Sequence, residues 1–183
     1  MIEECLTLAT QAPTGRNRQH WDFVFVTDPD RRAALADLYR MGLVRPRQPL
    51  AGGINRGDAD GWDKIANSAQ HLFEHLHEVP VLFVPCVRVT DRQELQYPVR
   101  SANIYGSILP AVRQFMLAAR SRGLGTAWTT PHLHYEREAA ELLGIPYDTV
   151  IQTALIPVAY TIGTDFKPGA RVPAAEVAQW DQW

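Results

Sequence analysis

Cysteine is scarce in this chain: the 183 residues contain two, Cys5 and Cys86. One falls in a helical pattern and the other in an apolar strand pattern, the ordinary setting of buried thiols. That spacing excludes a disulfide framework and makes a reducing cytoplasm the expected compartment. Strong charge of either sign is also lacking. The formal net charge is −2 and no basic run occurs, so neither the whole chain nor any stretch carries an electrostatic footprint for nucleic acid. No apolar run approaches the roughly 18 residues of a membrane helix. The opening MIEECLTLATQ carries two acidic residues and no basic ones, against the pattern of a secretory signal.

Several catalytic signatures are missing too. There is no glycine-rich phosphate loop, and Gly123-Leu124-Gly125 is too short for a dinucleotide fingerprint; it reads as a helix C-cap. No serine lies in a nucleophile elbow or a recognisable triad order. His71, His75 and His77 fall within seven residues, but no Glu or Cys completes a ligand set at a known spacing. A solvated helix end is the favoured reading there, no metal is expected, and His132 and His134 are read likewise.

What remains is an ordinary globular composition, 46% hydrophobic and 21% charged, of a length expected to form one domain over residues 1–183. Ile2, Cys5, Leu6 and Ala9 share one helical face, and Pro13 follows its end. DFVFV reads as a buried strand. Asp28-Pro29 starts a helix, with Asp as N-cap and Pro at the first helical position. Residues 42–61 are rich in Gly, Pro and charge and are expected to form a mobile surface loop. Residues 62–78 form an amphipathic helix, with Ile65, Ala69, Leu72 and Leu76 on one face. In VPVLFVPCVRV, Pro85 argues for an edge strand or a bulge.

The strongest helical pattern is SANIYGSILPAVRQFMLAARSRGLG, where Ile104, Ile108, Ala111, Phe115 and Ala119 recur at helical spacing. Pro110 predicts a kink and Gly123 a stop. Apolar residues surround most of this helix, so it is central or buried in an oligomer interface. GTAWTT follows as a short strand, then a helix closed by Gly144, then TVIQTALIPVAYTIG as one long strand, and a short helix in a tail with two tryptophans. Alternating elements of both kinds predict α and β mixed in one layered domain.

One loop stands out. In APTGRNRQHWDFVFV, Pro, Gly and a small hydroxyl residue allow the backbone to approach a planar ligand, while Asn17 and Gln19 offer amide donors and acceptors. By spacing alone, a helix-to-strand connector anchored by Trp21 is the favoured reading. The stretch also resembles the APS-S-x-N-x-Q-P-W-x-F-V-V-V segment of the nitroreductase family. LAARSRGLGTAWTT resembles that family's LAA-x-x-x-GLG-x-x-W element, and LGIPYDTVIQTALIPVAYTIG its LGIP-x-x-V-x-x-A-L-x-P-V-G-Y strand. KPGARVPAAEV is similar to its C-terminal K-P-R-x-P-L-E-E-V. Each is weak alone, but four in the right order across nearly the whole chain are specific together.

The resemblance implies an α+β fold with a central mixed, mainly antiparallel sheet flanked by helices, in an intertwined homodimer. The tail at 165–183 would pack on the partner subunit. It implies FMN in a cleft at the dimer interface, reduced by NAD(P)H and passing hydride to a small-molecule acceptor such as a nitroaromatic or quinone. Carried over by position, Pro13, Thr14, Gly15, Asn17 and Gln19 belong to the loop contacting flavin from one subunit. Trp128, Thr129 and Thr130 belong beside the isoalloxazine ring, with backbone N–H groups toward N5 and O4. Lys167 and Arg171 match basic residues at the phosphate. Charge-assisted donors suit a phosphate, and oriented amides suit negative charge on a reduced ring. Flavin carries the hydride chemistry, so no catalytic acid, base or nucleophile is expected.

Two departures accompany the resemblance. The family's R-x-S-x-R-x-F segment ahead of the loop has no counterpart here, and His20 replaces a proline. Two lost charge-assisted contacts at roughly 1.5–3 kcal/mol each predict weaker FMN binding by two to four decades, roughly, with Arg16 or Arg18 compensating in part. The alternative function is therefore a degenerate flavin-binding or flavin-sequestering member with little catalysis. A reductive dehalogenase or flavin-consuming enzyme with 42–61 as its lid ranks last, since that loop carries no signature.

Overall fold

Two hydrophobic clusters occupy opposite faces of one sheet in the computed structural model, which describes residues 1–45, 62–163, 165–169 and 171–183. Central strand β2 (Val81–Arg88) shows how the sequence achieves this. Phe83 and Val87 point into one cluster, while Leu82, Val84 and Cys86 point into the other, the period of two expected of a strand. Neighbouring β1 (Trp21–Val26) repeats the alternation, with Phe23 and Phe25 on the first face and Val24 and Val26 on the second. Phe25, Phe83 and Phe115 form a ring cluster, the last two with centroids 4.6 Å apart.

The sheet runs β1-β2-β5-β3, where β3 is Leu124–Thr126 and β5 is Ile156–Tyr160; β4 (Val150–Gln152) also pairs with β2. Each of these pairings is antiparallel. The first face is covered by α1 (Ile2–Ala9) and α4 (Pro98–Arg120), and the second by α2 (Pro29–Val44) and α5 (Glu136–Leu143). Between them in sequence lies α3 (Trp62–His75), and α6 (Ala174–Val177) sits in the tail. None of the described helices is long and apolar enough to cross a membrane.

Local signals act as expected at several ends. Asp28 caps α2 by accepting from the Arg31 N–H at 2.9 Å. Gly144 closes α5 at φ +69°, and Gly123 sits beyond α4 at φ +78°, both left-handed positions that favour glycine. Ile104, Ile108, Ala111, Phe115 and Ala119 are all buried, whereas Leu109 and Leu117 on the opposite side of α4 are exposed. The helix continues through Pro110, whose missing N–H leaves the Gly106 carbonyl without its usual donor.

Four expectations need correction in whole or in part. Residues 149–163 do not form one strand: Thr153 gives both its N–H and its hydroxyl to the Pro85 carbonyl, each at 3.0 Å, and this divides β4 from β5. Pro85 lies in the middle of a central strand and not at an edge, but the bulge it suggested is there: Val84 and Pro85 face three residues, Thr153, Ala154 and Leu155, in the gap between β4 and β5, where no ladder donor is required of Pro85. Ala69 does not join the core but is exposed on α3. The expected loop at 42–61 begins within α2, which runs to Val44, and residues 46–61 lie outside the described residues.

Candidate functional site

The loop between α1 and β1 is built from its own side chains. Thr14 Oγ1 accepts from the Gln19 N–H at 3.1 Å, and Asn17 Oδ1 accepts from Gln19 Nε2 at 2.9 Å. A single 3-10 turn, Gly15–Asn17, holds the backbone between them. Arg16, Asn17 and Gln19 all have positive φ, between 48° and 56°. Left-handed non-glycine residues each cost on the order of 1 kcal/mol, so three in four positions mark a loop whose shape is set by something other than local preference. The Thr14 hydroxyl and the Asn17 side-chain N–H groups donate to none of the described residues.

This loop forms one wall of a pocket of about 420 Å³. Gly15, Arg16, Arg18 and His20 face Thr90 and Glu94 from the segment after β2, and Arg100, Asn103 and Ser107 from the first turns of α4. The Glu94 carboxylate accepts from the Thr90 N–H at 2.6 Å, which together with Arg100 holds its pKa below the usual range. Burial, then the Arg18 charge, push His20 below the usual imidazole value against an opposing pull from Glu94. His20 Nδ1 is buried without a hydrogen-bond partner among the described residues.

The second predicted group occupies a separate pocket of about 490 Å³, where Trp128, Thr129 and Thr130 face Ala69 and Leu72 of α3 and Tyr39 of α2. Thr129 is fastened to the sheet: its N–H donates to the Leu155 carbonyl at 3.2 Å, its hydroxyl donates there too at 2.5 Å, and its carbonyl accepts from the Leu155 N–H at 2.8 Å. The Thr129 amide is thus already engaged, and the amides left for a ligand are those of Trp128 and Thr130, which have no backbone partner among the described residues. His132, fully buried just beyond, is kept neutral, since burial pushes its pKa down to about 4 against a raising contribution from the Gln152 side chain.

Lys167 and Arg171 lie on the exposed tail and line neither pocket. Phe166 anchors this tail under the Arg120 guanidinium, 4.0 Å from its ring centroid. A single chain therefore does not assemble the predicted residues around one cavity: the Gly15 loop, the Trp128–Thr130 segment and the tail face three different surroundings. Sequence reading missed Arg100, Asn103 and Glu94, which join the loop only through folding across some eighty positions. The three histidines of α3 and its extension are otherwise engaged: His75 Nδ1 lies 3.0 Å from Glu78, His77 Nδ1 lies 2.9 Å from Arg40, and the His71 and His75 rings are 4.5 Å apart.

The chain belongs to the nitroreductase family, whose model matches residues 1–160. It is 32% identical over 133 residues to a 5,6-dimethylbenzimidazole synthase of Rhodospirillum rubrum, a match covering 70% of this chain and 57% of that protein. The chain thus spans little more than half the length of this curated relative. Among solved structures it resembles a BluB-like flavoprotein of Clostridium difficile 630, with a TM-score of 0.68 at 20% identity, covering 99% of this chain and 88% of that one. An iodotyrosine deiodinase bound to FMN and 3-iodo-L-tyrosine superposes equally well, at 21% identity over 100% and 87% of the two chains. An FMN- and NADPH-dependent nitroreductase, NfnB, of Sphigopyxis sp. strain HMH gives a TM-score of 0.64 at 20% identity over 100% and 89%. These likenesses establish the fold, a nitroreductase-like antiparallel sheet flanked by helices.

Proposed function

We propose that the chain is an FMN-dependent oxidoreductase, a single domain over residues 1–183 acting in the cytoplasm as a homodimer. In this reading NAD(P)H reduces the flavin, and a nitroaromatic, quinone or similar electrophile takes the hydride in a second step. The observation that carries it is the family match over residues 1–160 together with two half-sites that one chain keeps apart. A second copy, related by symmetry, supplies the missing half to each.

The donor set fits a flavin. Pro13, Thr14, Gly15, Asn17 and Gln19 offer a rigid loop with a donor hydroxyl and amide from one protomer. From its partner, Trp128 supplies a planar apolar wall and the amides of Trp128 and Thr130 supply oriented donors, with Thr129 fastening the segment to the sheet. Such donors stabilise negative charge that develops on a neighbouring ring and need no reorganisation to do so. Lys167 and Arg171 suit the phosphate, as cations on a tail that reaches a neighbouring protomer. Bound FMN supplies the hydride chemistry; the chain binds, orients and shields. Buried, neutral His132 backs the segment without contacting it as an acid or base.

The test is a visible spectrum of the purified protein before and after FMN addition and desalting, followed by NAD(P)H oxidation with a panel of quinones and nitroaromatics. Retained flavin and acceptor-dependent turnover support the reading. Retained flavin without turnover on any acceptor supports the degenerate, flavin-sequestering alternative. The relative named as a dimethylbenzimidazole synthase and the neighbour named as a deiodinase are reasons to include aerobic flavin consumption and halogenated phenols in that panel.

A further inference from the structure

Five arginines elsewhere among the described residues are matched to carboxylates or carbonyls. Arg88 grips Asp22 in a two-pronged pair at 2.7 and 3.0 Å, Arg92 pairs with Glu136, Arg122 with Glu4 and Arg40 with Asp37. Arg32 bonds the His77 and Val79 carbonyls. The pocket beside the Gly15 loop differs in gathering three arginines around one cavity. Arg16, Arg18 and Arg100 converge on it with no ion pair to any described carboxylate. Its one acid, Glu94, accepts from the Thr90 N–H and feels the Arg100 charge, so it offsets one of the three cations and leaves the pocket net positive. Arg100 is steadied over the Tyr97 ring at 5.1 Å.

The remaining surface is polar and sized for a small molecule. Asn103 and Ser107 lie one turn apart on α4, and Ser107 Oγ donates to the Asn103 carbonyl at 2.7 Å, leaving its lone pairs to accept. Ile104 adds an apolar patch between them, and the unpartnered His20 Nδ1 completes the wall. No acidic residue occupies the first turn of α4, whose free amide end favours negative charge at this spot. About 420 Å³ holds a substituted single ring. Three arginines around such a volume match a planar oxyanion, which guanidinium binds in a fork.

We infer that this pocket selects an anionic second substrate, an aromatic electrophile bearing a carboxylate, sulfonate or phosphate that Arg16, Arg18 and Arg100 hold. The inference rests on the oxidoreductase reading above, because the loop that carries Gly15 and Arg16 is the one assigned to the flavin, so a ring anchored here lies beside it. No electrons move in this step: the arginines bind and orient, and reduction remains that of the flavin.

The experiment compares 4-nitrobenzoate with nitrobenzene as acceptors, using FMN-loaded protein and the variants Arg16→Gln, Arg18→Gln, Arg100→Gln and Arg100→Lys. The native protein is expected to prefer 4-nitrobenzoate in kcat/KM. Each Gln variant should lower that preference by roughly tenfold or more, the loss of one charge-assisted contact, with partial recovery in Arg100→Lys. Calorimetric titration of 4-nitrobenzoate into the same proteins should show the same order. A native protein with no preference and no binding of 4-nitrobenzoate overturns the inference. So does a preference that survives all three Gln variants. If the Gln variants instead lose FMN while 4-nitrobenzoate binding is intact, the arginines serve the flavin phosphate and the inference also fails. If neither acceptor is turned over but 4-nitrobenzoate binds through these arginines, the anion pocket stands and the oxidoreductase reading falls.

Discussion

Gly42 of α2 lies against the backbone of Pro131: a Cβ built on Gly42 would sit 2.0 Å from the Pro131 carbonyl oxygen and 2.5 Å from its carbon. Helix α2 therefore touches main chain immediately after Trp128–Thr130, and nothing larger than hydrogen fits between. Replacing Gly42 with Ala must move one backbone or the other. We expect Gly42→Ala to cost about 3 kcal/mol, at the upper end of overpacking penalties, seen as a fall in Tm of roughly 6–12 °C. It should also weaken FMN retention, because the segment that shifts is the one assigned to the ring. A variant of native Tm would show that the contact is looser than described.

His132 makes stability depend on pH. Its imidazole is fully buried with a pKa of about 4 against an ordinary 6.5, and neither ring nitrogen has a hydrogen-bond partner among the described residues. Between those values the unfolded chain takes up a proton that the folded chain refuses, so stability is complete above about pH 6.5 and falls as the pH drops toward 4. The loss attributable to this group is roughly 3 kcal/mol. His132→Leu should remove that slope, leaving a smaller difference in urea midpoint between pH 7 and pH 4.5 than the native protein shows. Equal slopes in the two proteins would place the acid sensitivity elsewhere.

Glu136 ties α5 to β4 and to the segment after β2. Its carboxylate pairs with Arg92 and accepts from the Gln152 N–H at 2.9 Å, while Arg92 also donates to the Tyr147 and Val150 carbonyls. Truncation to Ala would leave the Gln152 backbone N–H without an acceptor and the mostly buried Arg92 with only the Tyr147 and Val150 carbonyls. Glu136→Ala is expected to cost about 2–3 kcal/mol, less than a fully buried pair because Arg92 retains some solvent. Glu136→Gln, which keeps one acceptor, should cost less than half as much. Chemical denaturation of the three proteins decides it.

Leu117 on α4 is half exposed, and Val99 and Leu109 of the same helix are exposed as well. In a homodimer this helix is where apolar cover is wanted. On the homodimer reading proposed above, Leu117→Glu should shift the light-scattering mass from twice the chain mass toward the chain mass, with flavin lost in step, since each cleft would then draw on both protomers. An unchanged mass would move the interface elsewhere.

These expectations show which parts of the molecule were legible beforehand. Helix α4 announced itself because Ile104, Ile108, Ala111, Phe115 and Ala119 keep one face over many turns, and Asp28 and Gly144 marked helix ends by local chemistry alone. The break at Thr153 was not legible, because it depends on a carbonyl sixty-eight positions away, at Pro85. Pro85 announced an edge or a bulge from its missing donor alone, and only the folded register decides for the bulge in a central strand. At the candidate site, motif resemblance pointed to the Gly15 loop and the Trp128–Thr130 segment, each a run of neighbours. It could not find Arg100 or Asn103, which meet the loop through tertiary folding, nor could it tell that the Thr129 amide is taken by Leu155.

Pro85 has a meaning beyond the finished sheet. As the chain is synthesised, β1 and β2 can pair as soon as residue 88 is available, but the other side of β2 waits for β4 and β5, more than sixty residues later. During that interval an apolar strand presents a bare edge, the kind of surface on which nascent chains stick to one another. Pro85 stands at the middle of that edge with its carbonyl, and hence its blocked nitrogen, turned toward it. A stray strand docking there meets a missing donor at the centre of the ladder, whereas the native partner arrives already divided at that point. The residue that interrupts the ladder thus guards the half-made protein against association with the wrong strand.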